Sequence, residues 1–271
     1  MLSSGLALSK RLEGAEARAC RQFADATRKA FPERGTEWMK CAGAYAVFCG
    51  IDSPVTQTFG LGIFEELTTS SLDQIEQFFF TRGASVDHEV SPFAGVPALT
   101  LLCDRRYRPI EVSSVLYRAV EQPPPLDSPR INVRMINDGE GQLWADISAR
   151  GWAADYPEHV ESIRQFGVLA AGRENSPCFL AAFDGQPGAA GVLSIFEGVA
   201  LFGGSSTVPQ LRRRGLQSAL LRERMRYAFD QGCDLAMMVA EVGGNSQRNA
   251  ERQGFQVAYT RMKWRLPHPT R

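Results

Sequence analysis

The sequence predicts a mixed α/β fold in two domains, and three observations carry that expectation. The chain has 271 residues, long for one small domain and enough for two that each bury a core. Four prolines fall within residues 121–129; proline lacks a backbone N–H and fixes φ, so neither a helix nor a central strand crosses that stretch. On either side of it, segments with an apolar period of two alternate with segments of helical period. The expected organisation is a domain over residues 1–121, a proline-rich linker over 122–129 and a second domain over 130–271.

In the first domain, Ala19, Phe23, Ala26 and Ala30 recur at helical spacing. Leu72, Ile75 and Phe79 do the same behind Ser71-x-x-Gln74, which reads as a capping box. Residues 44–48, 56–61 and 86–90 read as strands, 96–105 as a further segment, and the β-branched run 110–117 as a late strand.

The second domain opens with a strand at 131–136 and helical segments at 142–149 and 158–166. Strands at 178–183, 189–196 and 199–202 then form an antiparallel meander, turned by Asp184-Gly185 and Glu197-Gly198. Leu221, Met225, Ala228 and Phe229 give the next helix one apolar face, and Gly232 is placed to end it in the left-handed conformation. A buried strand at 235–240, a short polar helix at 246–253 and a strand at 256–264 complete the pattern.

Hydrophobic residues make up 44% and charged residues 22% of the chain, which excludes the disordered and fibrous classes. Thirty basic residues balance thirty acidic ones, so no overall field draws the chain to nucleic acid or an anionic membrane. Six cysteines without a C-x-x-C pair and three histidines far apart predict reduced thiols and no metal site. The apolar stretch at residues 5–8 meets Lys10 and Arg11 at once, too soon for a signal peptide. No apolar run approaches the roughly 20 residues of a membrane span, and a cytoplasmic protein is expected.

The most informative stretch is Arg212-Arg213-Arg214-Gly215-Leu216-Gln217, between a strand and a helix start. The first turn of a helix has N–H groups without intrahelical partners and a partial positive charge. Gly215 lets a ligand approach the backbone closely, and the arginines add cationic donors, which together suit a phosphate. Taken alone, an arginine-rich turn reads first as solvated surface. Pro209 decides the matter here, because it cannot extend a sheet ladder and so releases the chain toward the helix where a ligand sits.

The run from Thr207 to Leu221 resembles the signature of the GCN5-related N-acetyltransferase (GNAT) family, a strand and a proline followed by R-x-x-G-x-G/A, with Gln217 where the family has Gly or Ala. Asn249-Ala-Glu-Arg-Gln-Gly-Phe255 is similar to the helix and G-F ending of the same family, and the resemblance covers roughly residues 130–265. It implies acetyl-CoA as acyl donor. Ser205, Ser206 and Thr207 then pair with the pantetheine arm, Arg213, Arg214, Gly215, Leu216, Gln217 and Ser218 hold the pyrophosphate, and Asn249 and Arg252 reach the coenzyme from the later helix. The order of elements in the first domain is similar to a GNAT fold without its coenzyme loop, since residues 60–69 carry two glycines and no arginine. Two tandem GNAT-like domains are implied, although composition also fits an unrelated α+β domain at the N-terminus, whose expected roles are to cover the substrate cleft or to supply a homodimer surface.

Acyl transfer to a primary amine by direct attack is the expected activity. An alkyl ammonium with a pKa of about 10.4 is free amine at only about one part in a thousand at neutral pH, so a general base is needed. Glu241, at the end of the strand 235–240, is the candidate base; its other reading is a solvated strand end or a helix-capping carboxylate. The family's proton donor, a Tyr four residues before the Gly of G-F, is replaced by Ala250, which leaves Tyr259 as the candidate acid or as packing in a terminal strand. Cys233, following Gly232 into a buried strand, reads as an inert thiol. A small-molecule or peptide amine is the expected partner. Two alternatives stand beside this reading: a non-catalytic CoA-binding module, and a tandem-GNAT transferase that takes its acyl group from aminoacyl-tRNA.

Overall fold

The computed structural model describes residues 5–51, 53–126 and 128–270; Asp127 of the expected linker lies outside them. In chain order its elements are α1 (Leu6–Ala30), β1 (Glu37–Cys41), β2 (Ala44–Phe48), β3 (Gln57–Phe59), α2 (Thr69–Phe80), β4 (Val86–Val90), α3 (Gly95–Asp104) and β5 (Arg108–Ala119). There follow β6 (Ile131–Met135), α4 (Gly141–Trp152), α5 (Val160–Ala171), β7 (Cys178–Phe183), β8 (Gln186–Phe196) and β9 (Val199–Thr207). The last are α6 (Leu216–Asp230), β10 (Leu235–Glu241), α7 (Asn245–Arg252) and β11 (Gln256–Leu266). The fold is mixed α/β. Among the described residues no helix is long and apolar enough to cross a membrane.

Compactness divides the chain into one unit of Met1–Tyr117 with Val239–Arg271 and a second of Arg118–Met238. This cut differs from the one drawn at the proline-rich linker, because the C-terminal stretch groups with the N-terminal residues. The cause is strand pairing: β11 is antiparallel to β4, from Met262↔Val90 to Leu266↔Val86, and antiparallel to β5.

The first unit orders its strands β1-β2-β3-β4-β11-β5. Its core gathers Leu72, Ile75, Phe78 and Phe79 of α2, Ala98 and Leu102 of α3, and Ala46, Val86, Val90 and Trp264 of the sheet. Helix α2 starts two residues before the Ser71 cap expected for it. Thr68 is the N-cap, its Oγ1 accepting from Ser71 N at 3.1 Å while Ser71 Oγ accepts from Thr68 N at 3.0 Å, so the capping box is Thr68–Ser71 and not Ser71–Gln74. Both residues are hydroxyl-bearing, and the earlier pair satisfies the first-turn donors that the later one leaves over.

His88 lies mid-sheet in this unit, opposite Thr58 of β3 and Trp264 of β11, fully buried and 4.9 Å from the Tyr107 ring. Neither ring nitrogen has a hydrogen-bond partner among the described residues, and burial pushes its pKa down to about 3. The unfolded chain, titrating near 6.5, therefore takes up this proton first as pH falls. The contribution of His88 is complete above about pH 6.5 and is lost progressively toward pH 3. Between pH 7 and pH 5 the loss is about 2 kcal/mol at ~1.4 kcal/mol per unit. Denaturant melts of His88→Phe, which keeps the stack on Tyr107, should show that much less stability lost over this interval than the wild type; an unchanged interval would mean that His88 is not held neutral.

The second unit orders its strands β10-β9-β8-β7-β6. The turns Asp184–Gly185 and Glu197–Gly198 hold both residues at positive φ, 49° and 79° in the first, 49° and 77° in the second, which matches the right-handed twist of the strands they join. A Cβ on Gly204 would meet Val192 and Trp144 of α4, whereas one on Gly191 would meet Arg224 of α6. Helices α4 and α6 therefore cover opposite faces. Trp144 is fixed on its side by donating Nε1–H to the Phe179 carbonyl at 3.0 Å.

Candidate functional site

Strand β9 is where the second unit departs from a regular sheet. Its parallel ladder to β10 runs only from Val199↔Leu235 to Leu201↔Met237, while β9 continues to Thr207. On its other edge the register passes from Val192↔Gly203 to Ala190↔Ser206, so Gly204 and Ser205 together oppose the single residue Gly191. That is a β-bulge, with Gly204 at φ 53°, and a bulge bends its strand and raises its twist. The edge of β9 past Leu201 thus bears peptide groups outside the β10 ladder.

The chain leaves β9 at Val208, next to Pro209 as expected, and makes a single 3-10 turn over Pro209–Leu211. Arg212 serves the scaffold: its Nη2 donates to the Gly151 carbonyl at 2.9 Å and to Asp155 at 3.0 Å. Arg213 takes φ 61° and Gly215 takes φ 84°, two left-handed residues that turn the chain sharply into α6. Arg213 and Arg214 are exposed, the latter 5.0 Å from the Phe183 ring. Gly215 is the N-cap of α6, which has no side-chain cap and no acidic residue in its first turn. The first intrahelical bond is Ala219 N to Gly215 O at 3.0 Å, so the amides of Leu216 and Gln217 precede any intrahelical acceptor.

The side chains of the three expected strand residues are engaged within the unit. Arg224 Nη2 donates to Ser205 Oγ at 2.8 Å, Ser206 Oγ donates to the Ser148 carbonyl at 3.0 Å, and Gln217 Nε2 donates to Thr207 Oγ1 at 2.7 Å. Whatever these strand residues offer a ligand comes from their backbone. Gln217, half-buried, ties the first turn of α6 to the end of β9. Ser218 is exposed on that turn and Leu216 is buried beneath it.

The corresponding turn of the first unit, between β3 and α2, is built to the opposite specification. Gly60 and Gly62 have φ 78° and 73°, but the Phe64 ring fills the space beside Gly60 and Ala94 that beside Gly62. A Cβ on Gly60 would come within 2.6 Å of Phe64, and one on Gly43 would collide with it. Glu65 and Glu66 follow, and the α2 N-terminus is closed by its own Thr68–Ser71 box. There the cap takes the Ser71 amide, and two carboxylates stand where the turn into α6 has Arg213 and Arg214.

The remaining expected residues belong to the first unit. Glu241 is exposed where β10 ends, at a turn closed by Gly244 N donating to Glu241 O at 3.0 Å. Asn249 and Arg252 are joined to each other on the outside of α7, Arg252 Nη1 donating to Asn249 Oδ1 at 2.7 Å. Tyr259 is buried, and its hydroxyl donates to Glu13 Oε1 at 2.9 Å; burial and then Glu13 push its pKa up. A proton donor must reach solvent or substrate, and this hydroxyl reaches a carboxylate of α1, so the expectation that Tyr259 is the general acid is withdrawn.

Tyr259 belongs to a buried charge cluster that sequence reasoning did not find. Arg261 Nη1 donates to Glu13 at 3.0 Å and to Glu16 at 2.5 Å, and its Nε lies 3.1 Å from Glu89. Lys263 bridges Glu89 and Glu111 at 3.4 and 2.7 Å. Burial raises the Glu13 pKa to about 6 against the lowering effect of Arg261. Its readable signal is the run Tyr259, Arg261, Lys263, Arg265 on alternate positions, one face of a strand. Arg224 was missed too; Leu216, Leu220, Arg224 and Ala228 at four-residue spacing mark it as facing inward.

Comparisons with known proteins accord with this anatomy. Residues 142–255 match the model of the acetyltransferase (GNAT) family. Among solved structures, a GCN5-related N-acetyltransferase from Kribbella flavida is 16% identical with a TM-score of 0.64, the match covering 92% of this chain and 95% of that one. A GCN5-related N-acetyltransferase from Sphaerobacter thermophilus is 16% identical with a TM-score of 0.55, over 93% and 91%. A tandem GNAT protein from the clavulanic acid biosynthesis pathway is 13% identical with a TM-score of 0.55, over 93% and 95%. At these identities the likeness is one of fold, and its coverage extends it to the N-terminal half. No curated protein matches the chain.

Proposed function

Because residues 142–255 match the model of the acetyltransferase (GNAT) family, we propose that the chain transfers an acetyl group from acetyl-CoA to a primary amine, with the pyrophosphate of its one coenzyme held in the second unit. The observation that carries this reading is the start of α6: an uncapped N-terminus without acidic residues, entered through Arg213, Arg214 and a left-handed Gly215 at the end of a bulged strand. A pyrophosphate fits it. One exposed anion at a helix end gains only about 0.3–1 kcal/mol, so the amides and the arginines act together. The backbone of Ser205 to Thr207, on the edge of β9 beyond its ladder with β10, suits the amides of a pantetheine arm, and Asn249 and Arg252 are assigned to the coenzyme from sequence pattern.

The bound coenzyme supplies a thioester carbon, to which the amine nitrogen bonds as the carbon–sulfur bond breaks. Glu241 is assigned as the base that takes the proton from the attacking nitrogen, and the departing thiolate is protonated by solvent. This last step follows from Ala250 standing where the family pattern has Tyr and from the bond of Tyr259 to Glu13. Steady-state kinetics on a panel of amines should show kcat for Glu241→Gln lowered by about 10²–10⁴-fold with coenzyme affinity unchanged. A variant at wild-type kcat would remove Glu241 from the mechanism. Coenzyme binding with no acyl transfer to any amine would favour a non-catalytic module, which the missing proton donor also suits.

A further inference from the structure

Arg224 stands on an otherwise apolar face of α6, among Leu220, Leu221, Met225 and Ala228, and is 1% exposed. Among the described residues its hydrogen bonds go to no carboxylate. Nε donates to the Leu220 carbonyl at 3.2 Å, Nη1 to the carbonyls of Val192 at 3.0 Å and Gly203 at 3.3 Å, and Nη2 to Ser205 Oγ at 2.8 Å. Its guanidinium carbon is 5.1 Å from the Phe202 ring. Burial lowers its pKa to about 10, which leaves it charged at neutral pH. A buried guanidinium without a counter-ion is costly, so its place in this core calls for a cause.

The acceptors supply one. Val192 and Gly203 adjoin the bulge at Gly204–Ser205, of which Ser205 is part, where the β8–β9 ladder is interrupted. Across the strand pair, Gly191 leaves the room: a Cβ there would lie 2.9 Å from Arg224 Cζ, 3.0 Å from Nη1 and 3.2 Å from Ser205 Oγ. The side chain thus donates to a carbonyl on each strand at the edge of the bulge and to the hydroxyl of Ser205 within it. It also places a positive charge under the stretch of β9 that runs on after its ladder with β10 stops at Leu201.

Building on the coenzyme reading above, we infer that Arg224 is a positioning residue for the pantetheine arm: it holds the β9 bulge in the shape that presents the strand's outer edge to the ligand. Guanidinium bonding to the Gly203 carbonyl also polarises the peptide that joins Gly203 to Gly204, since hydrogen bonds in a chain strengthen one another. Arg224 acts through the β8–β9 pair. The pyrophosphate turn at residues 212–217 is held by other contacts, those of Arg212 and Gln217.

That separation gives the test. Titrations with acetyl-CoA and with ADP, which has a pyrophosphate and no pantetheine arm, are compared in wild type, Arg224→Met, Arg224→Lys and Gly191→Ala, with circular dichroism to follow folding. The inference expects Arg224→Met and Gly191→Ala to lose at least about tenfold in acetyl-CoA affinity with ADP affinity unchanged within twofold, and Arg224→Lys to recover part of the loss. Equal loss of both ligands, or loss of neither, in those variants that fold would overturn it. Gly191→Ala keeps the charge and keeps the test open should Arg224→Met fail to fold. If the wild type binds neither ligand, the coenzyme reading itself falls, a result distinct from any difference among the variants.

Discussion

Gly215→Glu is expected to abolish coenzyme binding, weakening it by at least about 100-fold, or ~2.7 kcal/mol, while leaving the protein folded. Two effects combine. Gly215 has φ 84°, a conformation that costs an L-residue about 1–2 kcal/mol. A glutamate there also brings its own carboxylate to the uncapped first turn of α6, where it occupies the donors that a pyrophosphate needs and repels its charge. The same carboxylate is favourable at a helix N-terminus by about 0.3–1 kcal/mol, which offsets part of the backbone strain. The melting curve should therefore move little while the binding isotherm vanishes. Retained binding would show that phosphate is held elsewhere.

Arg261→Met is expected to destabilise the first unit by about 3–5 kcal/mol, the cost of removing one partner from a buried ionic cluster. Arg261 is 2% exposed and stands against Glu13, Glu16 and Glu89; without it three carboxylates face one another, with Lys263 in reach of Glu89 only. The pH dependence has a definite sign. Glu13 has its pKa raised from 4.5 to about 6 in the folded chain, so its contribution is full below pH 4.5 and is lost as pH rises through 6, a change of about 2 kcal/mol. The damage from Arg261→Met should accordingly be smaller at pH 5 than at pH 7.5, and Glu13→Gln should gain stability over wild type on the same rise in pH. Denaturant unfolding at the two pH values measures both. A pH-independent loss of under 1 kcal/mol in Arg261→Met would mean that the cluster is solvated.

Much of the second unit was legible in the sequence because local chemistry punctuates it. The two hairpin turns, Pro209 at the end of β9, Gly215 at the start of α6 and Gly232 after its end each follow from a residue whose backbone freedom or lack of a donor decides the conformation. Strand β1 was not legible: Glu-Trp-Met-Lys-Cys has neither alternation nor a buried residue, and pairing with β2 alone makes it a strand. Non-local pairing also hid the destination of β11, since nothing within residues 256–266 says that its neighbours are β4 and β5. Buried charge was the other blind spot. Spacing puts Arg224 and Arg261 each on one face of its element but does not name the acceptors that hold it there, and Phe229, assigned to the apolar face of α6, is 41% exposed because that face is centred on Leu220 and Arg224 instead.

The central claim is a single coenzyme site, formed by the turn into α6 and denied to the turn into α2 by Phe64 and the Thr68–Ser71 cap. Isothermal titration of the wild-type chain with acetyl-CoA tests it most directly. The account predicts saturable binding at one equivalent per chain, absent in Gly215→Glu. No heat of binding, or two equivalents per chain, would contradict it.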